Sequence, residues 1–231
     1  MEQSGSKADK LYNSLMNLTN KEQILNVLEG YRFLNFDFIE PLNLTIKKRS
    51  FTKLPDNFKE LNEYIKNCNL CTLSTNEYQQ HLGLGDINSD LYIIGTNPAL
   101  LKGDLLELLK NMIEKVLLRD FDSVYVVNIL RCPSSNHTMD NIDQESIDIC
   151  LQFLDHQIEI SKPKLIITLG EAFNYMLNSK EDVVNISGNN YKYHNIDLIP
   201  ILHPYFISKN PSFKQTVFND LKKIKFFLEQ K

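Results

Sequence analysis

Short apolar runs, each followed by a helical pattern, constrain this chain more than any other feature. DLYIIG (Asp90–Gly95), SVYVVNIL (Ser123–Leu130) and KLIITLG (Lys164–Gly170) read as strands buried on both faces. Helical patterns follow over Asp104–Arg119, over Gln144–Ile160 and from Glu171. Tyr191–Tyr193 and Leu198–Leu202 read as a hairpin, or as an edge strand beside a core strand. Pro211 opens a terminal helix to about Leu228. Strands alternating with helices predict an α/β fold, a three-layer α/β/α arrangement around a central, mostly parallel four-stranded sheet. Ligands bind such sheets beyond the C-terminal strand ends. Gly95-Thr96-Asn97-Pro98, Asn128 and His203-Pro204 fall there, though each is also ordinary turn chemistry.

Before the first strand, Asn20–Glu29 reads as a helix stopped by Gly30, and the aromatic segment FLNFDFIEPLNL as an irregular cap. A further helix is predicted near Asn57–Asn67, with Phe58, Leu61, Tyr64 and Ile65 on one face. The expected organisation is a helical or irregular extension, residues 1–57, packed on one domain, residues 58–231. No apolar run approaches a bilayer span, and MEQSGSKADK lacks the apolar stretch of a secretory signal. A cytoplasmic location without membrane association is the expectation. A net charge of −4 gives no global support for nucleic-acid binding. Lys209, Lys214, Lys222, Lys223 and Lys225 form the best candidate for a local basic patch, or else a solvated helix face.

The four cysteines are too few for a disulfide scaffold. Cys68 and Cys71 form a CxxC pair just past a helix, Cys132 follows a strand, and Cys150 lies within a helix. Soft thiolates with one short-range pair suit zinc or an iron–sulfur cluster, and spacing does not choose between them. Four buried free thiols are the plainer alternative. A thioredoxin-like redox pair fits poorly, because this CxxC follows a helix instead of opening one after a strand.

The order of these motifs resembles the family 4, iron–sulfur, uracil-DNA glycosylases. CNLC (Cys68–Cys71), LGLG (Leu82–Gly85), LYIIGTNPA (Leu91–Ala99), YVVNILRC (Tyr125–Cys132), Ile149-Cys150, LIITLG (Leu165–Gly170) and HPYFISKNPS (His203–Ser212) follow the family pattern over roughly residues 58–229. The resemblance implies a 4Fe-4S cluster, mainly structural, bound by Cys68, Cys71, Cys132 and Cys150. It implies hydrolysis of an N-glycosidic bond in DNA, releasing uracil or a related base. Asn128 and Gly95 would contact the base, His203 would stabilise the departing base, and Asn97 would place the water.

Several family features are replaced. Thr96 stands where the family has Glu, giving GTNPA, which is similar to the GxNPG motif of the mismatch-specific and single-strand-selective branches. An Asn cannot act as general base. The PFVG loop with its stacking Phe is absent. Tyr205 follows the HP pair where a small residue is usual, Glu77 takes the place of an Arg, and Pro133-Ser134-Ser135 replaces RPP. These changes motivate a second expectation, a catalytically impaired member acting as an iron–sulfur module that binds DNA or a protein partner. A nucleotide-binding enzyme unrelated to DNA would need a phosphate loop, and Gly83-x-Gly85 precedes a strand instead of linking strand to helix.

Overall fold

The computed structural model describes residues 54–71, 73–74, 80–133 and 143–230. The helix expected at Asn20–Glu29, the aromatic segment after it, Glu77, Ser134 and Ser135 lie outside the described residues.

The strands are β1 (Leu84–Gly85), β2 (Leu91–Gly95), β3 (Tyr125–Asn128), β4 (Leu165–Leu169), β5 (Tyr191–Tyr193) and β6 (Ile196–Ile201), in the sheet order β1-β3-β2-β4-β6-β5. β3, β2, β4 and β6 run parallel, which is the predicted core sheet. The sheet has six strands instead of four because short antiparallel strands close both edges. β1 is only two residues long, below what sequence alternation can reveal. β5 and β6 form the expected hairpin. It turns at His194 and Asn195, both left-handed with φ of 47° and 67°, the geometry that matches strand twist.

The helices are α1 (Phe58–Lys66), α2 (Asp104–Met112), α3 (Gln144–Ser161), α4 (Ala172–Leu177), α5 (Val183–Ile186), α6 (Pro204–Lys209) and α7 (Lys214–Glu229). Alternation along the strands makes two apolar faces. Leu91 and Ile93 of β2 face one layer, with Leu109 of α2, Ile207 of α6 and Val217, Leu221 and Ile224 of α7. Tyr92 and Ile94 face the other, with Ile147, Cys150, Leu154 and Ile158 of α3 and Phe173 of α4. The predicted α/β/α layering follows directly.

Local chemistry sets the helix ends. Asn57 Oδ1 accepts from Glu60 N at 2.9 Å to start α1, and Asp143 Oδ1 accepts from Ser146 N at 2.7 Å to start α3. Sequence periodicity suggests one helix from Asp104 to Arg119. Instead α2 widens into a π-helical turn over Ile113–Leu117 and stops at left-handed Leu118, φ 56°. Arg119 then pairs with Asp90 at 3.3 Å, beside the start of β2.

Helix α1 packs on the outer side of α3, where Leu61 and Ile65 meet Ile149 and Phe153. Cys68, Leu70 and Cys71 rest against this same cluster. Phe153 is fully buried. Phe153→Ala removes the main support under the CxxC segment, and it should lower stability by about 3–5 kcal/mol, read as a lower urea midpoint.

Candidate functional site

β2 and β3 end side by side, with Gly95 opposite Asn128. A Cβ on Gly95 would lie 2.4 Å from Asn128 Oδ1, so only glycine lets the carboxamide lie against β2. Two further bonds hold the exits together. Ile129 N–H donates to the Gly95 carbonyl at 2.8 Å and Leu130 N–H to the Thr96 carbonyl at 3.0 Å. Asn128 Oδ1 is buried without a hydrogen-bond partner.

Asn97 is fully buried. Its Oδ1 accepts from Ala99 N at 3.0 Å and caps the 3-10 turn Pro98–Leu100. Its Nδ2 is left buried without a partner.

His203 leaves β6 and caps α6, its Nδ1 accepting from Tyr205 N at 3.0 Å. An accepting Nδ1 puts the proton of the neutral ring on Nε2. That Nε2 is also buried without a partner. Burial pushes the imidazole down to about 4, so the ring is neutral at physiological pH. The ring's position depends on Gly170, φ 58°, whose Cβ would sit 3.0 Å from His203 Cβ.

β4 lies between β2 and β6 and ends at Leu169, followed by Gly170 without a side chain. Asn97 and His203 therefore follow strands two spacings apart, about 9.5 Å. Strand addition changes direction between β2 and β4, the crevice where open α/β sheets bind ligands. A buried unsatisfied donor or acceptor costs about 1–3 kcal/mol. Asn97, Asn128 and His203 each carry one such atom at this end of the sheet.

Thr168 Oγ1 is a further unpartnered atom near the end of β4. Strand alternation sets Thr168 with Ile166, on the face opposite Ile167 and Leu169. A lone hydroxyl inside LIITL was its visible signal, and the sequence reading passed over it.

The cysteines form a second feature. All four are free thiols, Cys132 and Cys150 buried, Cys68 and Cys71 half-buried. Burial pushes Cys132 up to about 12, and Cys150, Cys71 and Cys68 add to that rise. The four are thus within electrostatic range of one another. Burial likewise pushes Cys150 up to about 11, opposed by a backbone hydrogen bond from Arg131. Burial raises Cys68, opposed by a backbone hydrogen bond from Leu70. Among the described residues, no three His, Cys, Asp or Glu side chains gather closely enough to hold a single metal ion.

Two of the five lysines in the candidate basic patch stand in ion pairs. Lys223 pairs with Asp220 at 3.4 Å and Lys225 with Glu229 at 3.7 Å. Lys209 lies 5.7 Å from the Tyr205 ring, on the helix that His203 caps. A cavity of about 670 Å³ lies away from the strand ends, against Lys59, Glu63, Tyr64 and Cys68. Among the described residues, no helix is long and apolar enough to cross a membrane.

A sequence profile of the uracil DNA glycosylase superfamily matches residues 82–222. The chain belongs to this superfamily. The matched span runs from two residues before β1 into α7 and contains Gly95, Asn97, Asn128 and His203. The chain is also similar to three proteins named type-4 uracil-DNA glycosylase. That of Sulfurisphaera tokodaii is 26% identical over 74% of this chain and 84% of its own length. That of Thermotoga maritima is 27% identical over 74% of this chain and 94% of its own. That of Saccharolobus solfataricus is 24% identical over 76% and 88%.

Buried His203 also predicts a pH dependence of stability. Its folded value, about 4, lies below the ordinary value of 6.5, so the unfolded chain binds the proton more readily. Stability is full above about pH 6.5 and falls as the pH drops toward 4. Between pH 7.5 and 4.5, wild type should lose roughly 2–3 kcal/mol more than His203→Asn, read from urea midpoints.

Proposed function

We propose that this superfamily member is a uracil-DNA glycosylase of DNA repair, hydrolysing the N-glycosidic bond of a deaminated base with Asn97, Asn128 and His203. The observation that carries the reading is the set of unpartnered polar atoms at the strand ends. A uracil edge presents two carbonyl oxygens with an N–H between them. In the proposed arrangement, Asn128 Oδ1 accepts from that N–H. The His203 Nε2–H donates to a carbonyl and stabilises the negative charge that develops as the bond breaks. A neutral imidazole suffices, since it acts as a donor and not as an acid. Gly95 keeps Asn128 within reach of the base. The Asn97 amide binds water through its free N–H, but it cannot remove a proton. Thr96 brings no carboxylate, so the attacking water is positioned without a strong base.

DNA is the proposed partner. A base must leave the stack to meet polar atoms buried at the strand ends. Half-exposed Tyr205 and Lys209 on α6 border the site, where they can meet the strand despite the negative net charge.

Cys68, Cys71, Cys132 and Cys150 would hold a 4Fe-4S cluster. Four free cysteines lying in one another's field, two of them buried, are the donor set that such a cluster takes. When bound, the cluster ties the CxxC segment, the exit of β3 and α3 into one unit.

The test is base release from single-stranded and mismatched DNA containing uracil or hypoxanthine. His203→Ala and Asn128→Ala should each lower kcat/KM by about 100-fold or more, by analogy with loss of an oxyanion donor. No release by wild type above the double variant would refute the enzyme and leave a module that binds DNA or a protein partner. Separately, anaerobically purified protein should contain iron and acid-labile sulfide with a broad visible absorption. Cys150→Ser should lose both, measured by iron and sulfide assay.

A further inference from the structure

Arg131 is 2 % exposed, among the most deeply buried large side chains of the chain. Its Nη2 donates to Gln157 Oε1 at 2.5 Å and its Nη1 to the Leu82 carbonyl at 3.4 Å. Its Nε is buried with no partner. Among the described residues, no carboxylate pairs with it. The groups in its field are Tyr125, Cys150 and Tyr92. Burial raises both tyrosines above their ordinary range, so neither supplies a negative charge at neutral pH. A buried cation left in this way costs several kcal/mol. An amide and a carbonyl repay only part of that.

The position of this charge supplies a reason for it. Arg131 directly precedes Cys132, and its guanidinium is bound to Gln157, about two turns along α3 from Cys150. We propose that Arg131 is the counter-charge of the cysteine-bound cluster, its guanidinium balancing the negative charge that four thiolates bring into the protein. The inference rests on the cluster reading given above. A cube with four thiolate ligands is a net anion, and its negative charge grows when it takes up an electron. A buried cation whose field reaches it therefore slows loss of iron and favours the reduced form. Arg131 acts here through the ligands and is a positioning residue, remote from the base.

The competing account makes Arg131 a purely structural donor to Gln157 and Leu82. Gln157→Glu separates the two. It places a carboxylate on the guanidinium, which satisfies the side chain and turns its field away from the cluster. The experiment uses full-length wild type, Arg131→Lys, Arg131→Met and Gln157→Glu, purified anaerobically. Iron and sulfide are assayed first. The decay of visible absorption under a ferrous chelator and the midpoint potential at an electrode, which supplies the electron, are then measured. Thermal melts of the cluster-free chains control for folding.

Gln157→Glu should melt no lower than wild type yet lose iron about tenfold faster, and its potential should fall. Arg131→Met should change iron loss and potential in the same direction, and Arg131→Lys should retain most of the wild-type behaviour. If Gln157→Glu holds iron as long as wild type at an unchanged potential, the counter-charge role is overturned. If wild type contains iron and sulfide but all three variants match it, the inference fails while the cluster reading stands. If wild type contains neither, both fall.

Discussion

Helix α3 is the member on which the other parts depend. One side of it, through Ile147, Cys150, Leu154 and Ile158, covers a face of the sheet. Its opposite side, through Ile149 and Phe153, carries α1 and the segment that bears Cys68 and Cys71. Gln157 reaches inward to Arg131 at 2.5 Å, and Asp155 accepts from the Tyr193 hydroxyl of the edge hairpin. A helix buried on two sides has little freedom to shift, because close-packed interiors transmit displacement. The thiol group and the sheet are therefore held in one frame.

The strand ends apply the same principle at a smaller scale. Gly95 and Gly170 are places where a side chain would collide with Asn128 or with His203. The absence of a side chain at these two positions lets Asn128 and His203 pack close against the strand ends. The remaining hydrogen-bonding capacity of Asn97 and His203 is spent locally, on Ala99 and Tyr205. That local use orients each side chain and leaves a single atom of each without a protein partner. A site of this kind is rigid before it binds anything, which lowers the cost of ordering on binding.

Much of this was legible in the sequence. The apolar runs LYIIG and LIITL are too short for helices, and their place in the parallel sheet follows from that. The helices near Asn57–Asn67 and over Gln144–Ile160 were read from their periodicity, while the caps made by Asn57 and Asp143 appear only in the structure. Other elements were hidden for physical reasons. β1 has too few residues to alternate, and α6 is a single helical stretch opened by the His-Pro pair that motif reading had claimed. The π-helical end of α2 keeps ordinary periodicity, so no pattern distinguishes it from a continuing helix. Asn97, Asn128 and His203 stood out as residues, but their unpartnered atoms appear only once burial is known. Arg131 looked like one letter of a motif until its burial, with no carboxylate paired to it among the described residues, could be seen.

The helix cap made by His203 has a consequence for proton accounting. Its Nδ1 is occupied by Tyr205 N–H, so the ring cannot turn over without releasing the first turn of α6. A ring so tethered cannot pick up a proton on one side and deliver it on the other. In the proposed reaction the enzyme therefore ends each turnover with the same hydrogen on the same nitrogen. The released base must take its own proton from water, and the pace of the cycle owes nothing to recharging the histidine.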